Sequence, residues 1–465
     1  MKEYLFLMKS EVVVSLIIFV LLFIKLGKEM QRDTWLLWVQ LLLLINTVVA
    51  FGFNDTGRIF GGMFVHNPLI GFQKGILALG VYLISLIGAN WFREQEHAPE
   101  LFMLMLSSLL GMNFLLSSDH LLLFYLALEL TSIPAAAMVN FDLGSRKSSE
   151  AAMKMVMSSA LASGVLLFGM SLLYGVTGSL NFASIWGGLM NEPLHMAAFV
   201  FVFSAVAFKL SVVPFHFWTA DVYEGAPVPV TAFLSVVSKG AIAFALTTLL
   251  LQVFPNLNSA WYPVVVVLSI LTMLIGNVFA LRQDDLLRFM AFSSIAQVGF
   301  ILVALSGQTI GAKSVITYFV LIYVFSNLAI MGGASVLRAQ SGLTKISELK
   351  GLNSRSPLLA WSMALGLFSL AGIPPAAGFF GKFFLLMEGA KQPNYVFLTI
   401  AALNMIISLY YYLRIVRLLF SAPGATGQEE IQLVRSVRFG LVICAAGIVL
   451  TGIISWIYDH ILSLV

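Results

Sequence analysis

The chain has 465 residues, 60% of them hydrophobic and 10% charged, with a formal net charge of +4 and a single cysteine. A soluble globular chain carries about 25% charged residues, so this composition excludes a soluble fold. The lone Cys444 excludes an internal disulfide and a cysteine-held cluster within the chain, and the scattered positive charge forms no basic patch for nucleic acid.

Apolar stretches of ~20 residues recur from end to end, divided by short polar loops. The first, near 10–26, has no small-residue cleavage site and leads into another span, so it reads as a retained helix rather than a signal peptide. In chain order the pattern predicts fourteen spans: 10–26, 34–53, 67–91, 99–117, 120–140, 150–175, 194–219, 227–253, 260–281, 287–307, 313–338, 357–388, 395–420 and 436–460. The expected fold is an all-α polytopic membrane protein. No loop is long enough for a soluble domain, so soluble catalytic machinery belongs to other chains.

The positive-inside rule orients the spans. With the N-terminus outside, sixteen of the 26 basic residues, Lys28 among them, fall on the cytoplasmic side and five on the other. Both termini are therefore predicted to be periplasmic. The remaining five basic residues, Lys74, Lys154, Lys209, Lys239 and Lys382, lie within spans.

A charged side chain near the bilayer centre costs about 2.5–3.5 kcal/mol on insertion scales and marks a functional candidate. Lys74, near the start of its span, can snorkel to the interface. Lys154 follows Glu150 by four residues, so a local ion pair accounts for it as well as a function does. Lys209 in "VAFKLSVVP", Lys239 in "FLSVVSKGAIAFAL" and Lys382 in "GFFGKFFLL" lie deep in their spans. Glu129, in "FYLALELTSIP", is the one carboxylate near the middle of a span and the candidate partner. Burial pushes a lysine toward neutrality and a nearby carboxylate pushes it back, so a moving carboxylate can load and unload such a site. His216, seven residues after Lys209, is a candidate proton carrier between lysines, or a structural histidine.

Two spans contain proline near their middle. Pro214 removes the hydrogen bond to the Leu210 carbonyl; Pro374 and Pro375 do the same to Leu370 and Ala371, and Gly372, Gly378 and Gly381 are expected to loosen that segment. Unwound backbone at membrane depth is tolerated where protein buries it or it lines a wet cavity. "LSVVP" (210–214) and "LAGIP" (370–374) are similar and lie five crossings apart, in helices of opposite direction. Paired broken helices of this kind point to two inverted repeats. The expected division is three leading helices (1–98), a first five-helix repeat (99–254), a second, inverted one (255–421) and a trailing helix (422–465).

"HFWTADVYEGAPVPVTAFLSVVSK" (216–239), "LALELTSIP", "RFMAFSSIAQVGF" (288–300) and "GIPPAAGFFGKF" together resemble the subunit N family of bacterial proton-pumping NADH–quinone oxidoreductase, respiratory complex I. Mitochondrial subunit 2 is similar. The likeness covers essentially the whole chain. Its sister subunits L and M and the large subunits of multisubunit sodium/proton antiporters share part of this core, so an antiporter subunit is the alternative. One departure is Ala220, where the family usually has proline. The resemblance implies a proton relay in which Glu129 and Lys209 form a charge pair, Lys239 is central with His216 beside it, Lys382 is terminal, and Lys154 lies near the cytoplasmic intake. It further implies that the flavin mononucleotide, iron–sulfur clusters and quinone belong to other subunits and that this chain binds no cofactor. "FFGKF" is no Walker loop, because Ser or Thr does not follow the lysine. The implied partners are other membrane-arm subunits, homologous antiporter-like ones included, with lipids and protons but no nucleic acid. The implied location is the bacterial cell (inner) membrane.

Overall fold

The structure is a computed structural model of the chain, and it describes residues 2–27, 31–52, 55–342, 344–422 and 430–465. Lys28 and the predicted end of the second span at residue 53 lie outside the described residues.

The spans are α1 (Lys9–Leu26), α2 (Arg32–Phe51), α3 (Pro68–Ile87), α4 (Ala98–Leu116), α5 (Leu121–Val139), α6 (Arg146–Thr177) and α7 (Pro193–Leu210). They continue with α8 (Val228–Val253), α9 (Asn258–Leu281), α10 (Leu286–Ser306), α11 (Gly311–Ser341), α12 (Pro357–Ala371), α13 (Tyr395–Leu419) and α14 (Arg435–Ile453). Twelve of the described helices are long and apolar enough to cross a membrane unaided. The other two of the fourteen are α1, which carries Lys9, Glu11 and Lys25, and α12, which is short because the chain breaks and resumes as α12b (Ala377–Gly389). Likewise α7 resumes as α7b (Phe217–Gly225).

Burial sorts the helices into core and rim. Over an 18-residue stretch α10 and α11 are buried all round, and α3 and α8 nearly so. A helix that is apolar on every side belongs in the interior. By contrast α2, α6, α9, α13 and α14 present large exposed side chains such as Trp38, Leu161, Val267, Ile406 and Phe439, a surface suited to lipid. Within the first repeat α4 packs on α5 and α6 on α7; within the second α9 packs on α10 and α11 on α12.

Three features differ from the sequence reading. Between α2 and α3 the chain forms a hairpin, β1 (Gly57–Ile59) with β2 (Phe64–His66), in antiparallel register Gly57↔His66. Its turn uses Gly61 and Gly62 at φ 64° and 88°, which glycine adopts without steric cost. The fourteenth span ends at Ile453, and Trp456–Ser463 is a separate helix. Near that end Gly452 lies so close to the α12 break that a Cβ would be 2.7 Å from the Pro375 carbonyl oxygen. Finally, α8 contains a π-helical turn, Leu234–Ser238, immediately before Lys239.

The ion pairs between helix ends respect the alternation of the spans. Lys25 meets Glu100 and Arg93 meets Asp33 on the side predicted to face inward, while Arg58 meets Asp119 on the opposite side.

Candidate functional site

The two helix breaks share one backbone design. Helix α7 ends in a left-handed residue, Ser211 (φ 66°), and α12 in Gly372 (φ 82°). Val212 N–H donates to the Ala207 carbonyl and Phe215 N–H to Val212; Ile373 donates to Phe368 and Ala376 to Ile373 in the same pattern. Both breaks carry a cis peptide bond, Val213–Pro214 and Pro374–Pro375. The structure therefore corrects the pairing read from sequence by one residue: Ser211 matches Gly372, and Pro214 matches Pro375. The reason is that the left-handed cap, rather than the first proline, ends each helix. The expected looseness is also absent at Gly378. Its N–H donates to Ser369 Oγ at 3.1 Å, and a Cβ there would lie 1.8 Å from the Ser369 carbonyl oxygen. Glycine is required for this close approach.

The broken backbone is satisfied internally, as membrane depth demands. Thr272 Oγ1 of α9 accepts from Val213 N–H at 3.1 Å, and Trp218 Nε1 donates to the Phe208 carbonyl at 3.1 Å.

Around the α7 break, Lys209 Nζ donates to Ser132 Oγ at 2.6 Å and also to Ser159. Glu129 accepts from Ser163 and makes no direct ion pair with Lys209, although it acts on that lysine through space. The expected charge pair is thus not a direct contact: Lys209 is held by Ser132 of α5 and Ser159 of α6, and Glu129 by Ser163, one turn further along α6. A cavity of about 20 Å³ adjoins Lys209 and is lined by Ser132, Ser159, Trp218 and, from α8, Ser238. That is room for about one water.

Lys239, beside Ser238, is buried, donates to Ser294 Oγ of α10 at 2.6 Å, and lies over the Tyr223 ring at 5.4 Å. A second cavity of about 20 Å³ connects it to Ser294, Gln297 and Tyr323. Gln297 Nε2 in turn donates to Tyr412 OH at 3.1 Å and to the Leu370 carbonyl at 3.3 Å. The same carbonyl accepts from Lys382 Nζ, which is buried over the Phe300 ring at 4.9 Å. One face of α10 therefore links the second and third lysines. His216 stands at the N-cap position of α7b without a side-chain capping bond, is buried with its ring tilted against Phe217, and has an Nδ1 without a hydrogen-bond partner among the described residues. The lysine that acts on it through space is Lys239 rather than Lys209.

Lys154 lies apart from this row, half-exposed near the start of α6, the end predicted to face inward. It pairs with Glu150 and Asp221, both at 2.7 Å. Arg288 of α10 bridges Asp221 and Glu224 at 2.8 and 2.9 Å, and Lys147 holds Glu224 at 3.0 Å. This network ties α6 and α7b of the first repeat to α10 of the second.

Sequence reasoning missed Ser132, Ser159, Ser163, Ser294, Gln297 and Tyr412. The available signal was small polar residues at helical spacing inside apolar runs, as in "MSSALAS" and "SSIAQ". It also misplaced Lys74. That side chain does not snorkel: it is fully buried and pairs with Glu11 at 2.6 Å. A partner on another helix, 63 residues away, leaves no local pattern.

Residues 118–408 match the family described as NADH:quinone oxidoreductase/Mrp antiporter, transmembrane. The chain is 41% identical over 447 residues to NADH-quinone oxidoreductase subunit N of Phocaeicola vulgatus, covering 95% of each. The chain belongs to the NADH-quinone oxidoreductase subunit N family. Its fold superposes on a chain of respiratory complex I from Thermus thermophilus with a TM-score of 0.80 at 27% identity, covering 95% of this chain and 96% of that one. A chain of the Mrp complex from Dietzia sp. DQ12-45-1b gives a TM-score of 0.84 at 20% identity, covering 98% and 95%, a likeness of fold. Members of the subunit N family are multi-span membrane proteins, and this chain's apolar helices agree.

Proposed function

We propose that this chain is a proton-translocating subunit in the membrane arm of an NADH-quinone oxidoreductase, with no redox chemistry of its own. The observation that carries the reading is the row of polar groups joining three intramembrane lysines: Lys209 to Ser238 across one small cavity, Lys239 to Gln297 across another, and Gln297 to Lys382 through the Leu370 carbonyl. Lysines held this way exchange protons if water and hydroxyls complete the gaps, because each donor already faces an acceptor. Glu129, set behind its serines, biases Lys209; His216 serves Lys239; Lys154 and its ion network stand at the inward intake. Quinone reduction, with its flavin, iron–sulfur clusters and quinone, takes place in partner subunits and drives the relay by changing the field or geometry at Glu129 and Lys209. The cell (inner) membrane location, periplasmic termini and antiporter-like neighbours complete the proposal.

Replacing Lys239 by alanine in the reconstituted complex tests it. Proton uptake per quinone reduced should fall while the complex still assembles. Unchanged pumping and turnover would sink the relay.

A further inference from the structure

A second group of buried charges lies outside both repeats, in the three leading helices. Glu11 and Lys74 meet at 2.6 Å with side chains 2% and 0% exposed. Lys9 and His66 are buried against them; Lys9 bonds the Gly52 carbonyl and interacts with Asp55, Lys74 and Glu11. Lys74 also lies over the Phe64 ring at 5.0 Å. The charged or titratable groups facing the pair are thus Lys9 from α1, Asp55 from the loop after α2 and His66 from β2.

Several atoms of this cluster are buried without a hydrogen-bond partner among the described residues: Glu11 Oε2, Ser10 Oγ, Asp55 Oδ2 and both ring nitrogens of His66. Buried polar atoms are ordinarily hydrogen-bonded to protein or to ordered water, so this many orphaned acceptors and donors in one place call for water beside them. Burial, then the Lys74 and Lys9 ammoniums, push the His66 imidazole down to about 3, so at neutral pH it offers one donor and one acceptor and no charge. Next to Lys74 on α3, Gln73 Nε2 donates to Thr317 Oγ1 of α11 at 2.9 Å, and Ser314 Oγ, one turn earlier on α11, is buried without a partner among the described residues.

We infer that Glu11 and Lys74, with Lys9 and His66, form a second proton-exchange site through which a proton leaves on the side where Arg58 meets Asp119. The inference rests on the pump reading above. A proton passes from Lys74 Nζ to Glu11 Oε1; an N–H bond breaks, an O–H bond forms, and the ion pair becomes a neutral pair. The net charge of the buried cluster does not change in that step, which keeps its electrostatic cost low. The carboxylic acid then passes the proton to water at Oε2, and the hydronium leaves past His66; the neutral Lys74 amine takes its next proton from hydronium arriving past Gln73 and Thr317.

The test uses the intact complex in vesicles, with Lys239→Ala as reference. The double variant Glu11→Gln/Lys74→Met leaves no unpaired buried charge and should assemble. It should keep quinone reduction and translocate fewer protons per quinone, and His66→Gln, which leaves the ion pair intact, should slow translocation in the same direction. Infrared difference spectra between resting and turning-over complex should show a carboxyl signal that Glu11→Gln removes. Normal translocation in the double variant and in His66→Gln, with Lys239→Ala impaired, would overturn this site alone. If Lys239→Ala also pumps normally, the pump reading fails, and absence of the Glu11 infrared signal would then remove this site as well.

Discussion

The breaks in α7 and α12 are built alike in backbone and unlike in charge. With Ser211 matched to Gly372, Lys209 occupies the place of Leu370, and Lys382 the place of Asp221. The first half thus carries a cation before its break and an anion after it, and the anion is tied to Lys154 and Arg288. The second half carries a cation after its break only, and that cation reaches back to the carbonyl of Leu370. The comparison shows that one design presents a lysine to either break from opposite ends of the helix. It also shows that Lys209 has a carboxylate to respond to, whereas Lys382 is held by a neutral carbonyl and an aromatic ring.

The largest expected effect separates the two breaks sterically. Gly378 corresponds to the exposed Phe217. Gly378→Ala should destabilise by at least the about 1–3 kcal/mol typical of overpacking and cut the amount of complex recovered. Phe217→Ala should change stability by about 0.5 kcal/mol or less. Equal losses would break the comparison.

A next step separates them electrostatically. Lys209→Met and Lys382→Met should both impair pumping. Only the first leaves a carboxylate without its cation, so adding Glu129→Gln should raise recovery of the Lys209 variant. The same second change in the Lys382 variant should leave recovery as it was, as read by thermal unfolding of the complex.

At the helix caps, Gly372→Ala places a Cβ on a left-handed residue and should cost about 1–2 kcal/mol in unfolding free energy. The smallest effect belongs to the ion network. Lys154→Ala should alter stability by about 1 kcal/mol or less, because its pairs are half-exposed and Arg288 still holds Asp221. Its effect on pumping should be weaker than that of Lys239→Ala.

The spans and breaks were legible because membrane helices advertise themselves by length, hydropathy and proline. Lys209, Lys239 and Lys382 were legible because charge is costly in lipid. What joins them was not, since Ser159, Ser294, Gln297 and Tyr412 are ordinary polar residues whose meaning depends on which helices meet. The one-residue shift between the breaks escaped notice because proline is visible in a sequence and a left-handed cap is not. Glu11 was passed over because it stands near a helix end, where a carboxylate normally reaches water.

The account turns on water completing the path between neighbouring lysines. A density map of the intact complex fine enough to show ordered water measures this directly. The account predicts one water between Lys209 and Ser238 and one between Lys239 and Gln297. Two dry cavities, with the lysines isolated from one another, would contradict it.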